Sequence, residues 1–257
     1  MNKRPIRPGI LTHFDRSKFH IDYKNAVAID IGGDQWNASA SLMESAGAAH
    51  VTSINITPNW PERLQLTPVI EKKKIDATRL AVHFEPQSVD ICYGIAVLEH
   101  IPDTWKMLES IKAILKPGGL LYLHGGPIWS SAKGHHLFTK VNGKAFKFSD
   151  RDCPIQNWEH LTCDADELTD RIISRGIDKN SAIHLANWIF TTDEQNRYSF
   201  KQLCGYFDES GLETIQRYDN SFAGPSPDQY NQLAAFGWSP EDRLDVMGTT
   251  FVAKKPG

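Results

Sequence analysis

The sequence predicts an α/β fold: a doubly wound, mostly parallel sheet with a mainly helical cap inserted late in the chain. Two observations carry that expectation. Short apolar runs alternate with helical segments through the first half, which is the rhythm of strand-helix-strand crossovers. From Gly125 to about Tyr198 that rhythm stops, and it then resumes with a helix and two strands ending near Lys255. A chain of 257 residues can bury a sizeable core and still carry such an insertion.

Taken in order, "NAVAIDIGG" (25–33) is an apolar run ending in Asp and two glycines, the pattern of a buried parallel strand meeting a turn. A helical stretch with a terminal glycine follows (36–47), then a second strand "AHVTSINI" (49–56). A helix is expected from Pro61 and a weaker strand over 70–75, before a third buried strand within "SVDICYGIAVL" (88–98). Asp103 can cap a helix whose Leu108, Ile111 and Leu115 share one face. Pro117 cannot continue that helix, and Gly118 with Gly119 provides a permissive backbone for a tight link into the strand "GLLYLHG" (119–125).

The expected organisation is an N-terminal segment 1–24, a core 25–125, a cap 126–198 and a C-terminal part 199–257 that completes the sheet. The N-terminal segment, with Lys3, Arg4, Arg7, Arg16 and Lys18, is a candidate lid.

Charge narrows the function classes. Lys plus Arg (28) nearly balances Asp plus Glu (31), so no strong field favours a nucleic acid or an anionic membrane as partner. No run of about 18 consecutive apolar residues occurs, and the basic start lacks an apolar core, which points to a cytoplasmic chain. Cys92, Cys153, Cys163 and Cys204 lack CxxC spacing, so neither a disulfide framework nor a metal site is expected.

In a doubly wound sheet, ligands lie beyond the carboxyl ends of the strands. The candidate residues there are Asp30 to Asp34, Asn55, Asp76, Gly94 to His100 and His124 to Pro127. A dinucleotide site would want GxGxxG after the first strand, but Gly32 and Gly33 are followed by Asp34-Gln35-Trp36.

The stretch "SVDICYGIAVLEHIPDTWKMLESIKAILKPGGLLYL" resembles the class I S-adenosylmethionine-dependent methyltransferases. It carries their Leu-Glu-His turn, Pro-Asp helix start and Leu-Lys-Pro-Gly-Gly before the next strand, with Val89 where Phe is usual. "AIDIGG", "GAAHVTSINI" and Asp76-Ala77 extend the resemblance over roughly residues 25–125.

The resemblance implies a Rossmann-like, seven-stranded sheet with an antiparallel last strand, S-adenosyl-L-methionine as cofactor, and a small-molecule acceptor methylated on oxygen or nitrogen. It implies that Asp30, Gly32 and Gly33 wrap the methionine part, that Asp76 and Ala77 lie at the adenine, and that Ile95 lies near the cofactor. Asn55 stands where the family carries the acidic residue that takes the ribose hydroxyls.

The segment "GGPIWSSAKGHHLF" (125–138) occupies the place where such enzymes put acceptor-site groups. A hydroxyl acceptor needs its proton removed, for which a histidine suits best. His136 or His135 is the expected base, with His124 and His100 orienting; "NWEH" (157–160), His184 and "NRYSF" (196–200) are lesser candidates. Two further readings stay open: a methyltransferase-fold binding or regulatory protein, favoured by Asn55 and the glycine-poor first loop, and a peptide methyltransferase.

Overall fold

The computed structural model describes residues 5–257, so Lys3 and Arg4 of the candidate lid lie outside the described residues. The elements run α1 (Pro8–Ser17), β1 (Val27–Ile31), α2 (Ala38–Ser45), β2 (His50–Asn55), β3 (Arg63–Gln65), β4 (Ile70–Lys74), α3 (Leu80–His83), β5 (Val89–Gly94), α4 (Thr104–Ile114) and β6 (Leu115–Gly125). They continue with β7 (Phe138–Val141), β8 (Lys144–Lys147), α5 (Ala165–Ser174), α6 (Lys179–Thr191), α7 (Phe200–Glu209), β9 (Glu213–Ser221), α8 (Pro227–Ala235) and β10 (Val246–Lys254).

The main sheet has the order β3-β4-β2-β1-β5-β6-β10-β9. It is an α/β Rossmann-like sheet, mostly parallel with antiparallel strands at its edges. β1 lies between β2 and β5 and pairs parallel with both, so the strand order reverses beside it. That reversal is the switch point where a crevice opens at the strand ends.

The eighth strand, β3, is a correction to the helix expected from Pro61. Residues 63–65 pair antiparallel with β4, Leu64 opposite Lys72. Leu64 is exposed, so no apolar face favours a helix there. Instead Arg63 Nε contacts Glu71 Oε1 at 2.5 Å and Trp60 Nε1 donates to the Lys73 carbonyl at 3.0 Å, which ties the segment to β4.

The Lys-Pro-Gly-Gly stretch also differs from a free link. α4, capped by Asp103 on the Lys106 amide, ends at Ile114, and the chain is extended from Leu115 onward. Gly118, at φ +80°, donates its N–H to the Lys255 carbonyl, and Lys255 donates back to Gly119, both at 2.9 Å. The glycines serve a strand pairing in a conformation that a side chain would strain.

The chain forms two compact units. The first comprises residues 1–125, 205–218 and 250–257, and the second comprises 126–204 and 219–249. The first unit buries Phe14, Ala28, Met43, Val51, Tyr93, Tyr122 and Val252 in one cluster on a face of its sheet. α1 belongs to that core: Phe14 stacks on Tyr23 at 4.9 Å, and buried Ser17 meets the Tyr23 hydroxyl at 2.7 Å. Pro at the start of α1 suits a position whose N–H has no helical partner.

The second unit has its own core around Trp129, Leu137, Trp158, Leu185, Ile189 and Leu233. α5 and α6 are capped by Asp164 and Asp178, and α8 by a reciprocal Ser226–Gln229 capping box. Trp158 Nε1 donates to the Leu244 carbonyl at 3.1 Å, satisfying a buried indole. Among the described residues no helix is long and apolar enough to cross a membrane.

Candidate functional site

Asp30 sits at the end of β1, 3% exposed, and its carboxylate accepts the Ser53 hydroxyl at 2.7 Å. Register explains the contact: Asp30 on β1 is paired with Ser53 on β2, so their side chains share one face. Burial pushes the carboxyl up to about 7, against the opposing pull of the Ser53 hydrogen bond and of Lys72.

The chain then turns through Gly32 at φ +72°, where a Cβ would collide with a Val97 methyl. At Gly33 a Cβ would collide with Ser53 Oγ and stand 2.9 Å from Asp30 Oδ2. The Gly33 N–H donates to the Ile54 carbonyl at 3.0 Å. Asp34 stabilises the rest of the loop by accepting the Trp36 N–H at 2.8 Å and the Ala38 N–H at 3.2 Å.

Asn55 is turned onto this loop. Its Nδ2 donates to the Gly33 carbonyl at 2.9 Å, while its Oδ1 accepts the Ile56 and Thr57 amides at 2.7 and 3.0 Å. Its oxygen is therefore spent on backbone, and one N–H remains for a ligand. Asp76 uses Oδ1 to accept both the amide and the hydroxyl of Thr78, each at 2.8 Å, fixing the turn that holds buried Ala77. Ile95 is half-buried just beyond β5, packed against the first unit's core.

Lys72, which sequence reading passed over, is 6% exposed. It is opposite Ser53 in the β2–β4 register, hence on the Asp30 face. Its ammonium lies 3.4 Å from the Asp34 carbonyl, 3.5 Å from that of Gln35, and 4.1 Å from the Trp60 ring centre. Burial lowers its pKa, and the charges of Asp34 and Asp30 act the other way.

His124 is positioned by its ring nitrogen. Nδ1 accepts the Ala96 N–H at 3.2 Å, so the neutral ring carries its proton on Nε2 and is a donor there. His13 of α1 packs over it with ring centres 4.2 Å apart, and His13 Nδ1 bonds the Tyr122 hydroxyl at 3.0 Å. Burial pushes His124 down to about 3 and His13 to about 4. His100 is exposed, its Nε2 3.9 Å from Glu99 Oε1.

The other two histidines belong to the second unit. His135 is fully buried, with Nδ1 accepting the Leu137 N–H at 3.2 Å. His136, at φ +44°, is half-buried and meets the edge of Phe148 at 4.8 Å. The structure thus brings Asp30, Gly32, Gly33 and Asn55 into one contact network in the first unit, whereas His135 and His136 sit in the second.

Residues 29–123 match the family described as "Methyltransferase domain". Over that segment the chain is similar to methyltransferase domains. Within it fall the end of β1, the glycine loop, Asn55, Asp76 and Ile95. An uncharacterized methyltransferase of Mycobacterium leprae (strain Br4923) is 28% identical over 113 residues, 43% of this chain and 40% of that protein. The chain therefore spans less than half the length of this curated relative in the match.

Solved structures show the same fold across nearly the whole chain. An S-adenosylmethionine dependent methyltransferase from Mesorhizobium loti superposes with a TM-score of 0.53 at 12% identity, covering 96% of each chain. The Haemonchus contortus phosphoethanolamine N-methyltransferase 2, in complex with S-adenosyl-L-methionine, gives 0.52 at 15% identity over 100% of this chain and 55% of its own.

At the first loop a Cβ on Gly32 would run into Val97 and one on Gly33 into Ser53, so both positions need glycine for the loop to pack as it does. Lys72 and His13 are the site-supporting residues that sequence reading missed. The signal for Lys72 was strand parity, two residues after Ile70 on the same face; for His13 it was a proline-started helix in "RPGILTHFDRS".

Proposed function

We propose that this protein transfers the methyl group of S-adenosylmethionine to an oxygen or nitrogen of a small-molecule acceptor. The observation that carries this reading is the Asp30–Gly32–Gly33 loop at the end of β1, in a sheet of the right order and inside the matched segment 29–123. Gly32 and Gly33 would hold the methionine part through backbone, Asp76 and Ala77 would flank the adenine, and Ile95 would pack against the cofactor. The remaining N–H of Asn55 would serve the ribose side. The bound cofactor supplies an already activated sulfonium methyl.

The chain's own contribution is then to orient groups and exclude water, an effect worth on the order of 7 to 11 kcal/mol in well-aligned reactions. His124 supports this as a fixed donor through Nε2. A hydroxyl acceptor would need a base, and His135 cannot serve through Nδ1, which is committed to the Leu137 amide. An amine acceptor that is neutral needs no base.

A second reading, a methyltransferase-fold binding protein without transfer activity, is favoured by Asn55, whose oxygen is held by two backbone amides. Calorimetric titration with S-adenosylmethionine and S-adenosylhomocysteine, beside Asp30→Ala, separates the two. Micromolar binding abolished in the variant supports transfer; no binding to the folded protein supports the second reading.

A further inference from the structure

Deep in the second unit, His135 and His160 lie beside each other with ring centres 5.5 Å apart and an interplanar angle of 73°. They are 0% and 2% exposed. Hydrogen bonds to backbone fix the tautomer of each. The Leu137 N–H donates to His135 Nδ1 at 3.2 Å, so that nitrogen holds a lone pair and Nε2 holds the proton. The Trp129 carbonyl, which can only accept, lies 2.8 Å from His160 Nε2, so the His160 proton is on Nε2 and its Nδ1 is bare.

The two nitrogens left over are His135 Nε2 and His160 Nδ1. Both are fully buried and neither has a hydrogen-bond partner among the described residues. One is a donor and the other an acceptor. A buried donor and a buried acceptor left unmatched are each costly, and such a pair in a folded protein calls for an explanation.

The opposite polarity of the two atoms selects what can lie against them. A metal ion needs a lone pair from both rings, but His135 offers an N–H, which it cannot move to Nδ1 while Leu137 donates there. An anion is repelled by the lone pair of His160, and an ammonium group finds no acceptor on His135. A hydroxyl satisfies both, because it accepts one hydrogen bond and donates another.

We propose that His135 and His160 form a two-point site for a single neutral hydroxyl, which accepts from His135 Nε2–H and donates to His160 Nδ1. The hydroxyl belongs either to an ordered water or to a small alcohol. The Trp129 and His160 rings meet nearly at right angles with centres 4.7 Å apart, and the Arg197 guanidinium lies 5.5 Å from the Trp129 ring centre. The backbone beside the site is pinned by Gln195, whose Nε2 donates to the His135 carbonyl at 3.1 Å. Burial keeps both rings neutral at pH 7, moving His160 down to about 4 and His135 well below its ordinary value, while Lys133, His136 and Glu159 are the nearby charges acting on them.

The test uses the unmodified full chain labelled with 15N at histidine, and it reads the same whether or not S-adenosylmethionine binds. Imidazole 15N shifts at pH 7 are expected to show both rings neutral with Nε2–H. Magnetisation transfer from water to the His135 Nε2 proton is expected in buffer alone. Addition of methanol then identifies the source: replacement of the water signal by contacts to the methanol methyl assigns a site open to alcohols, and persistence of the water signal assigns an ordered water. A proton on His160 Nδ1, a charged ring, or transfer from neither water nor methanol overturns the proposal. So does a shift of both imidazoles on addition of zinc ion.

Discussion

Asn55 donates its side-chain N–H to the carbonyl of Gly33 at 2.9 Å, so the residue proposed for the ribose side of the cofactor is also the clasp of the glycine loop. Replacing it by the acid of the family pattern removes that donor and sets a carboxylate against a carbonyl. Asn55→Asp is therefore expected to weaken S-adenosylhomocysteine binding and to lower stability by about 1 to 2 kcal/mol. Calorimetry and urea unfolding check this; tighter binding with unchanged stability would show that the clasp has no role.

Close approach at Gly33 gives a second prediction. Gly33→Ala drives a methyl group into Ser53 Oγ, an overpacking of the kind that costs about 1 to 3 kcal/mol. Combining it with Ser53→Ala removes the colliding oxygen and is expected to recover part of the loss. Additive costs in the double variant would sink the steric account.

Lys72 props the same loop from β4. Lys72→Met keeps the stem beside Trp60 but removes the charge from the carbonyls of Asp34 and Gln35. A loss of about 1.5 to 3 kcal/mol in unfolding free energy is expected, as for hydrogen bonds made by a charged group, together with several-fold weaker cofactor binding. Equal affinity in the variant would make Lys72 a packing residue only.

Two buried groups oppose each other in their dependence on pH. Asp30 is raised from 3.8 to about 7 on folding, so the native state holds the extra proton, and its contribution, full below pH 3.8, is lost as pH rises toward 7. His124 is lowered from 6.5 to about 3, so its contribution is full above pH 6.5 and is lost as pH falls toward 3. Stability measured from pH 3 to pH 8 should therefore show a variant-minus-parent difference that rises with pH for Asp30→Asn. It should fall with pH for His124→Asn, and parallel curves would refute both assignments.

Glu159 anchors the second unit's core by receiving Arg175 on both oxygens, at 2.6 and 2.8 Å, while itself only 7% exposed. Glu159→Gln keeps the shape but removes the charge facing Arg175 and Arg171. A loss of about 1 to 3 kcal/mol is expected, moderated because both arginines are partly solvated. Calorimetric melting measures it, and an unchanged midpoint would place the pair among ornamental surface contacts.

Central strands were legible because most of their own residues demand burial: β1, β5 and the second half of β6 are dominated by apolar side chains and nearly continuously buried. Elements that depend on a partner were not. β3 has no buried residue and forms because β4 offers its edge. The β7–β8 hairpin turns through Asn142 at φ +48° and Gly143 at φ +83°, a strong Asn-Gly signal that its mostly exposed flanks obscured.

The site divides along the same line. Asp30, Gly32 and Gly33 were legible because a glycine turn after a buried strand is a local feature. The inward turn of Asn55 was not, since it depends on where the Gly33 carbonyl arrives from another strand.

The contact of His13 with His124 has a mechanical meaning. His124 holds the amide of Ala96, a non-glycine residue at φ +53° in the turn that leaves β5. One face of that imidazole is covered by a ring from the first helix. A tilt of α1 would therefore be felt at the Ala96 peptide through two rigid rings and one hydrogen bond, making the first helix a lever on the backbone at the end of a central strand.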